Sequence, residues 1–384
     1  MIRVLHIGPD ERALGGIACV IRTYMRCLAN RSLSVRRLAT VNEGHRLKKL
    51  FAAAAAYVRA PFEIMRVDLV HVHTASRNSW RRKAPLVILT KLQRRKLVIH
   101  IHAGGFADFL DSMGRSRRWL NIRLLSLADC VVCLSPSTRA ELAKHLHTIP
   151  VVTIPNPCRF FPCEEKVCRE PGVEILFTGA IARPKGVFDL VRAFALVVRE
   201  CPREKLRLVI AGGGKAEACR ELAREWGVED NVSLPGWLAS RQLQEAYAKA
   251  DIYCLPSYIE GVPMGVLEAM AFALPIVASP VGGIPDLVDD GVHGLFVPPG
   301  DVNALALALR RLIDNPVARE SMGAACRQRV ASRYAPQQVG RQLDRLYHSL
   351  LRGNEPEDTE LANRVAEPDE NDDGAFCRRP NLQV

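Results

Sequence analysis

The residues of this chain best suited to chemistry are two glutamates, Glu260 and Glu268, in the run SYIEGVPMGVLEAMA. The preceding run DIYCLP predicts a strand, which puts Glu260 in the loop at its end. Pro263 suits the first turn of a helix, and Glu268 then lies about one turn inside it. Two carboxylates beside free helix-start N–H groups suit the hydroxyls and diphosphate of a nucleotide-sugar. The alternative is one solvated glutamate and one ordinary first-turn glutamate.

The segment between the glutamates is expected to form the phosphate-binding part of this site. Glycines at its two ends would let a ligand approach the backbone closely. The expected donor-binding segment is Gly261, Val262, Pro263, Met264 and Gly265.

Short apolar runs alternate with longer helical patterns along the chain, which predicts parallel sheets of the doubly wound α/β type. Several runs are continuously apolar, as expected for strands covered on both faces. The predicted strands are Arg3–Ile7, Asp68–His73, Lys96–His102, Asp129–Leu134, Val151–Ile154, Val173–Thr178, Leu206–Ala211, Val232–Leu234, Ile252–Leu255 and Pro275–Ala278.

A proline- and charge-rich stretch at 156–172 interrupts this rhythm, which restarts at VEILFTGA. We therefore expect two Rossmann-like domains, 1–160 and 161–334, facing a central cleft. A helix at 335–352 would pack back toward the N-terminal domain, and 353–384 would be an acidic, disordered tail. Ligands of such sheets bind outside the carboxyl ends of the strands, so the functional residues should follow strands.

The run EGVPMGVLEAMAFALPIVASPVGGIPDLVDDGVHGLFVPPGD resembles the donor-binding core of the retaining glycosyltransferases of family 4, also described as glycosyl transferases group 1. It contains a Glu-x7-Glu motif, the pair Gly282–Gly283 and a GLFVPPGD turn. TGAIARPKGVFDLVRAF, LVIAGGG and NVSLPGW also fit, and the likeness extends to about Leu351. The resemblance implies the two-domain GT-B fold, with the nucleotide-sugar bound mainly by the C-terminal domain.

The resemblance also implies roles for individual residues. Glu260 would contact hydroxyls of the transferred sugar, Glu268 would hold the ribose, and Lys185 would neutralise the donor phosphates as the bond breaks. The sequence departs from the family at Ala180, where an arginine often follows the glycine. Arg183 is expected to supply that charge, and the alternative is a solvated loop arginine.

The N-terminal half contributes a loop and a histidine set. In the family, the loop at Gly15 and Gly16 approaches the donor phosphates, although a tight turn explains two glycines equally well. The runs VHVHTAS and VIHIHAGGF place His73 and His102 near strand ends. By resemblance, His102 lies at the floor of the cleft near sugar and acceptor, with His73 second and His100 structural. A dihistidine metal site is disfavoured because no carboxylate or cysteine partner is evident.

Charge is unevenly distributed: the chain carries +12 overall, but residues 1–160 carry +18 and the remainder −6. The tail from Asn354 onward accounts for the −6, so the segment between is neutral. A basic half beside a neutral one suggests that only one half meets a polyanion or an anionic surface. The stretch ASRNSWRRK, with Trp80 expected to be exposed, predicts a landing site for a lipid-linked diphosphate acceptor at a membrane. The alternative is a solvated basic face. The expected acceptor-side residues are His73, Arg77, Trp80, Arg81, Arg82 and Lys83.

The sequence therefore predicts a cytoplasmic retaining hexosyltransferase that moves a sugar from a nucleotide-sugar to a lipid-linked glycan for cell-surface polysaccharide. We expect neither cofactor nor metal, since no Asp-x-Asp clamp is evident. No signal peptide or spanning helix is predicted, and the 12 cysteines are expected to be free thiols. Rivals are a nucleotide-sugar epimerase, a glycogen-synthase-like transferase and a non-catalytic binder of anionic membrane. Nucleic acid is not expected, since the basic residues lack interleaved aromatics.

Overall fold

Two parallel sheets form the framework of the molecule. The computed structural model describes residues 1–10, 16–28, 33–41, 46–160, 172–200 and 205–356, and for 41 and 46–52 it describes the backbone only. The first sheet has the order β2-β1-β3-β4-β5-β6 and the second β12-β11-β10-β7-β8-β9. The strands are β1 (Ile2–Pro9), β2 (Leu33–Val41), β3 (Leu69–Thr74), β4 (Lys96–Ile101), β5 (Cys130–Cys133), β6 (Val151–Thr153), β7 (Val173–Thr178), β8 (Leu206–Ala211), β9 (Val232–Gly236), β10 (Ile252–Leu255), β11 (Ile276–Ala278) and β12 (Gly294–Phe296).

Helices connect the strands and cover both faces of each sheet. They are α1 (Gly16–Leu28), α2 (Arg46–Met65), α3 (Asn78–Leu92), α4 (Phe106–Asp111), α5 (Arg115–Leu125), α6 (Pro136–Ala143), α7 (Val187–Glu200), α8 (Ala216–Glu225), α9 (Ser240–Lys249), α10 (Met264–Ala271), α11 (Ile284–Leu287), α12 (Val302–Ile313), α13 (Pro316–Arg333) and α14 (Pro336–Arg352). The predicted fold of two doubly wound parallel sheets is confirmed.

The central strands are buried along their whole length, as the continuous apolar runs predicted. Helix α14 follows the second sheet in sequence but packs on α1 of the first, and its Leu343 and Tyr347 share a core with Val4. The predicted domain boundaries remain predictions. Residues 161–171, where the first boundary falls, and 357–384, most of the predicted tail, lie outside the described residues.

The two halves meet where β4 and β10 end. A Cβ added at Gly104, which follows β4, would overlap the carbonyl oxygen of Glu260. The side-chain amide of Asn156 donates to the carbonyl of Val262 at 3.4 Å. The carboxyl ends of the central strands of both sheets therefore face each other across a narrow gap, which is where parallel sheets bind ligands.

Candidate functional site

The centre of the site is an ion pair between Lys185 and Glu260. Lys185 Nζ lies 2.6 Å from Glu260 Oε1, and the Ser257 hydroxyl donates to the same oxygen at 2.7 Å. The Glu260 side chain is 6% exposed and that of Lys185 is 31% exposed. A cation and a carboxylate thus meet in a partly open position after β10, where a ligand with both phosphate and hydroxyl groups could engage both.

A glycine brings the lysine to this position. Lys185 ends a short 3-10 turn, Arg183–Lys185, and Gly186 follows it with φ of +66°. A Cβ on Gly186 would also overlap the carbonyl of Pro256, at the end of β10. Any larger residue would be strained in that conformation and would push the turn away from the loop that carries Glu260.

Helix α10 begins beside the ion pair. Pro263 occupies its N-cap position, so the N–H groups of Met264 and Gly265 lie at the helix start, where backbone donors suit an anion. A Cβ added at Gly16 would lie 3.8 Å from Met264 Cγ, so the first residue of α1 also borders this point. Gly15 lies outside the described residues.

Glu268 lies in α10 and is 4% exposed. Its Oε1 atom lies 3.0 Å from a guanidinium nitrogen of Arg159, and its Oε2 accepts from the Tyr247 hydroxyl at 3.0 Å. Burial raises the pKa of Glu268, and the Arg159 charge and the Tyr247 hydrogen bond oppose that rise. Both oxygens therefore have protein partners, and the ribose role remains a prediction.

Arg183 begins the 3-10 turn that ends at Lys185. It is exposed and lines a cavity of about 700 Å³ with Phe188, Lys215 and Tyr258. Pro184 and Ile259, the residues before Lys185 and Glu260, line the same cavity. The role of Arg183 in place of Ala180 remains a prediction.

His102 directly follows β4 and belongs to a group of five stacked imidazoles, His6, His71, His73, His100 and His102. Burial lowers the pKa values of all five, to about 3 for His6 and His102. The Lys83 charge lowers the His102 pKa further, and hydrogen bonding to the Asn156 side chain raises it. The imidazole nearest the gap is therefore neutral at pH 7.

The nitrogens of His6, His71 and His73, and those of His73, His100 and His102, lie within 4.8 Å of one another, close enough for a metal ion. However, most of these nitrogens are hydrogen-bonded to each other, at 2.8 to 3.2 Å. The rings are stacked or tilted by at most 33°. Lone pairs in nearly parallel rings do not converge on one point, which disfavours coordination.

The expected exposure of Trp80 is wrong. Trp80 is fully buried on the inner side of α3, packs edge-on against Phe106, and donates from Nε1 to Asn121 Oδ1 at 2.6 Å. Lys83 lies one turn further on the same side and donates to Ser79 Oγ at 3.0 Å. Burial lowers the pKa of Lys83 to about 8.

The helical period explains this correction, since residues three apart share a face and two residues of the basic run therefore turn inward together. Arg77, Arg81 and Arg82 are exposed. His73 is fully buried, so it reaches the gap only through His102, whose Nε2 lies 2.9 Å from His73 Nδ1.

Several site residues escaped sequence reasoning. Arg159, which pairs with Glu268, lies in the stretch taken as a linker. Tyr347, which joins the imidazoles, lies in a helix 245 residues after His102. Ser257 could have been found, because it follows β10 directly and lies three positions before Glu260. His6 also carried a signal, because it stands near the end of the first predicted strand.

Among the described residues, no helix is both long enough and apolar enough to cross a membrane.

Comparison with known families accounts for most of the chain. The family described as Glycosyltransferase Family 4 matches residues 15–158, and the family described as Glycosyl transferases group 1 matches residues 172–315. A D-inositol 3-phosphate glycosyltransferase from Corynebacterium kroppenstedtii is 30% identical over 62% of this chain and 57% of its own length. A glycogen synthase from Mycobacterium tuberculosis is 28% identical over 82% of this chain and 74% of its own length. The match spans 39 to 60% of the length of three inositol phosphate glycosyltransferases.

Solved structures share the whole architecture. Sucrose-phosphate synthase from Thermosynechococcus elongatus superposes with a TM-score of 0.76 at 23% identity, covering 92% of this chain and 100% of that one. HepE from Anabaena, solved in complex with UDP-glucose, gives 0.69 at 17% identity, covering 91% and 100%. Fold, motif order and family matches agree: the chain belongs to glycosyltransferase family 4 and has the GT-B fold.

Proposed function

We propose that this protein is a retaining glycosyltransferase that moves a sugar from a nucleotide-sugar donor to a glycan acceptor, lipid-linked and destined for cell-surface polysaccharide. The observation that carries the proposal is the 2.6 Å pair between Lys185 and Glu260 beside the start of α10. The pair joins a cation to a carboxylate, and the free backbone donors of α10 begin four residues after Glu260 in the sequence. Those are the groups needed by a diphosphate attached to a sugar.

In the proposed reaction, Glu260 accepts hydrogen bonds from hydroxyls of the transferred sugar. The diphosphate lies against the N–H groups at the start of α10, and Lys185 moves from Glu260 to the phosphates. Negative charge develops on the leaving nucleoside diphosphate, so the Lys185 ammonium, once beside the phosphates, stabilises the transition state more than the ground state. The departing phosphate guides the acceptor hydroxyl to the same face of the sugar, which retains its configuration without a nucleophilic carboxylate.

The ribose is assigned to Glu268, whose two oxygens together offer about four lone-pair positions. Arg159 and Tyr247 use one contact each, so a ribose diol can share the carboxylate or displace Arg159. Lys185 and the start of α10 supply positive charge for the phosphates, and we propose that no metal is required. Equal activity with and without a chelator is the expected result.

Several similar proteins support this assignment. HepE was solved with UDP and with UDP-glucose, and the Corynebacterium kroppenstedtii relative is named as a glycosyltransferase. The first experiment is therefore a panel of nucleotide-sugars that begins with UDP-sugars, scored for thermal stabilisation and slow donor hydrolysis. A ligand that binds the native state and not the unfolded chain raises the melting temperature, and the rise grows with the logarithm of ligand concentration above Kd. No stabilisation and no hydrolysis with any nucleotide-sugar would contradict the proposal.

A glycogen-synthase-like transferase is the second candidate, favoured by the Mycobacterium tuberculosis relative, of which the match covers 74%. Incubation with a radiolabelled donor separates the two proposals, because elongation of soluble glucan primers would favour the second. Isomerisation of the free donor without an acceptor would instead indicate an epimerase.

The acceptor is proposed to arrive from an anionic membrane, with the protein peripheral on its cytoplasmic face. Helices α2, α3 and α5 pack side by side in the N-terminal half. Exposed side chains on them are both apolar and basic, and we call this the α2–α3–α5 face. It includes Val58, Phe62, Arg81, Arg82, Leu92 and Trp119. Apolar side chains beside arginines suit the boundary between headgroups and acyl chains.

A further inference from the structure

Five histidines meet on one face of the first sheet because three neighbouring strands align them. In the parallel register, His6 of β1 lies beside His71 of β3, and His73 of β3 lies beside His100 of β4. Residues two apart on a strand share a face, so the five side chains converge. Beneath His102, which borders the gap, four fully buried imidazoles continue into the core.

One branch of hydrogen bonds runs from the C-terminal helix to the gap. The Tyr347 hydroxyl lies 3.2 Å from His6 Nε2, and His6 Nδ1 lies 2.8 Å from His73 Nε2. His73 Nδ1 lies 2.9 Å from His102 Nε2. The Asn156 side chain is close enough to raise the His102 pKa by hydrogen bonding. Asn156 Oδ1 is buried and has no hydrogen-bond partner among the described residues, so it is open to a donor from His102.

A second branch starts at the same hydroxyl and ends in the core. Tyr347 Oη lies 2.6 Å from His71 Nδ1, and His71 Nε2 lies 3.2 Å from His100 Nδ1. His100 Nε2 is buried and has no hydrogen-bond partner within the described part of the chain. The two branches therefore share one hydroxyl, and each has a single open end.

This connectivity couples the tautomers of all five rings. A neutral imidazole has one N–H and one bare nitrogen, so a ring that accepts at one nitrogen donates at the other. The single hydrogen of the Tyr347 hydroxyl goes either to His6 or to His71, and the hydroxyl accepts from the other. Only two complete arrangements exist: all five hydrogens lie on Nδ1, or all five lie on Nε2.

The two open ends choose between these arrangements. With the hydrogens on Nε2, His100 would bury an N–H without an acceptor, which costs about 1–3 kcal/mol, and Asn156 Oδ1 would be left without a donor. With the hydrogens on Nδ1, His100 buries only a bare nitrogen, and His102 donates to Asn156. Both ends favour the same arrangement.

We propose that His6, His71, His73 and His100, joined through the Tyr347 hydroxyl, act as a hydrogen-bond relay that holds the hydrogen of His102 on Nδ1, toward Asn156 and the gap. His73 is then a positioning residue for His102, and Tyr347 is a positioning residue for the set. Combined with the proposed transferase function, the relay holds an uncharged His102 at the edge of the gap, with its N–H turned toward Asn156. An uncharged imidazole can lie beside a sugar whose anomeric carbon becomes positive without repelling it.

The test reads the tautomers directly. The full-length protein, labelled with 15N in its 10 histidines, is examined by long-range proton–nitrogen correlation spectra at pH 7.5. The expected wild-type result is five neutral imidazoles with the hydrogen on Nδ1, the form that free histidine disfavours. In Tyr347→Phe, His71 and His100 lose their preference for hydrogen on Nδ1. Without the hydroxyl, the Nδ1 arrangement buries the His71 N–H without an acceptor, just as the Nε2 arrangement buries that of His100. We therefore expect three rings to stay on Nδ1 and two to become mixed.

Tyr24→Phe is the matched control. Tyr24 is also buried and packs on His73 and His100, but its hydroxyl bonds the carbonyl of Pro155. Five Nδ1 patterns are expected in this variant. Five rings on Nε2, mixed tautomers in the wild type, nitrogen shifts of metal-bound rings, or a Tyr347→Phe spectrum identical to wild type would each overturn the relay. The spectra need no substrate, so they test it separately from transferase activity.

Discussion

The ammonium of Lys185 and the carboxylate of Glu260 neutralise each other across 2.6 Å, although each is proposed to bind a different part of one donor. The two residues come from loops that follow neighbouring strands, β7 and β10. Their pairing keeps a largely buried carboxylate from lying uncompensated before the donor arrives. Donor binding would then replace one ion pair with two sets of contacts, to phosphate and to sugar.

Lys185→Ala should therefore lower kcat by at least roughly a hundredfold, the effect of losing one preorganised electrostatic group. Lys205→Ala is the matched control. It removes an exposed lysine just before β8, at the end of the sheet opposite the gap, and should keep full activity. The measurement is initial rate at saturating donor. A Lys185→Ala enzyme within threefold of wild type would remove Lys185 from the mechanism. Arg183→Ala is expected to have a smaller effect, and full activity would make Arg183 an ordinary surface residue.

Glu260→Ala should abolish turnover while the free nucleoside diphosphate still binds, because Glu260 is assigned to the sugar. Glu268→Ala should weaken binding of the nucleoside diphosphate itself. Arg159→Ala is the comparator, since it breaks the same buried pair and leaves the carboxylate in place. Calorimetric titration of the three variants separates these roles. If Glu268→Ala binds the nucleotide as tightly as wild type, the ribose assignment fails. If Arg159→Ala weakens it equally, the ion pair matters rather than the carboxylate.

Gly104→Ala should prevent the two halves from meeting as they do here. The added Cβ would overlap the backbone carbonyl of Glu260. The overlap can be relieved only if the backbones at Gly104 and Glu260 move away from each other. Gly114→Ala is the control, because the space around Gly114 is open. We expect Gly104→Ala to lose at least about tenfold in kcat/KM and to keep the wild-type melting temperature. Unchanged kinetics would show that this close approach is dispensable.

The stability of the N-terminal half should fall as the pH drops from 7.5 to 5.5. The native imidazoles stay neutral because burial lowers their pKa values, to about 3 for His6 and His102. The unfolded chain takes up protons below its ordinary histidine pKa of about 6.5. Each buried histidine that stays neutral in the native state then lowers the free energy of unfolding by about 1.4 kcal/mol per pH unit below that value.

Thermal melts at several pH values in this window measure the slope of stability against pH. The window lies above the range where ordinary carboxylates titrate. Replacing His100 with Asn should reduce the slope by the share of one histidine, about 1.4 kcal/mol per pH unit below pH 6.5. A flat stability profile between pH 7.5 and 5.5 would contradict the neutral, buried imidazoles.

The sequence predicted most of the framework because continuous apolar runs are typical of buried parallel strands. It missed β2, LSVRRLATV, a strand at the sheet edge whose apolar run is interrupted by Ser34, Arg36 and Arg37. It also missed β12, which has only three residues. A continuous apolar run indicates a strand that is buried on both faces, and strands at a sheet edge are not buried in this way.

The site was predictable where it follows strands and unpredictable where it depends on tertiary contacts. Glu260 and Glu268 lie in the loop and helix that were expected. Nothing in local sequence, however, indicates that Arg159 pairs with Glu268 or that Tyr347 reaches His6 and His71. Trp80 was misplaced for a similar reason, because a basic run gives no indication of which side of its helix turns inward.

The last prediction concerns the membrane, and the structure changes which residues should be tested. Trp80 and Lys83 are buried, so they cannot meet a lipid headgroup. Arg81 and Arg82 remain exposed on α3, and Trp119, 60% exposed on α5, replaces Trp80 as the aromatic of the α2–α3–α5 face. The wild type should sediment with anionic vesicles, not with neutral ones, and should be released by salt. Each arginine near such a surface contributes about 1 kcal/mol, so Arg81→Ser with Arg82→Ser should weaken binding roughly thirtyfold.

Trp119→Ser should also weaken vesicle binding, by removing an apolar group that enters the interface. Trp237→Ser removes a similarly exposed tryptophan from the C-terminal half and is the matched control, expected to bind vesicles as wild type does. Donor hydrolysis should be unchanged in the arginine variant, because the donor is assigned to the other half of the molecule. If the wild type ignores anionic vesicles at low salt, the membrane proposal fails. A soluble acceptor then becomes the better assignment, and the charge of the N-terminal half needs another explanation.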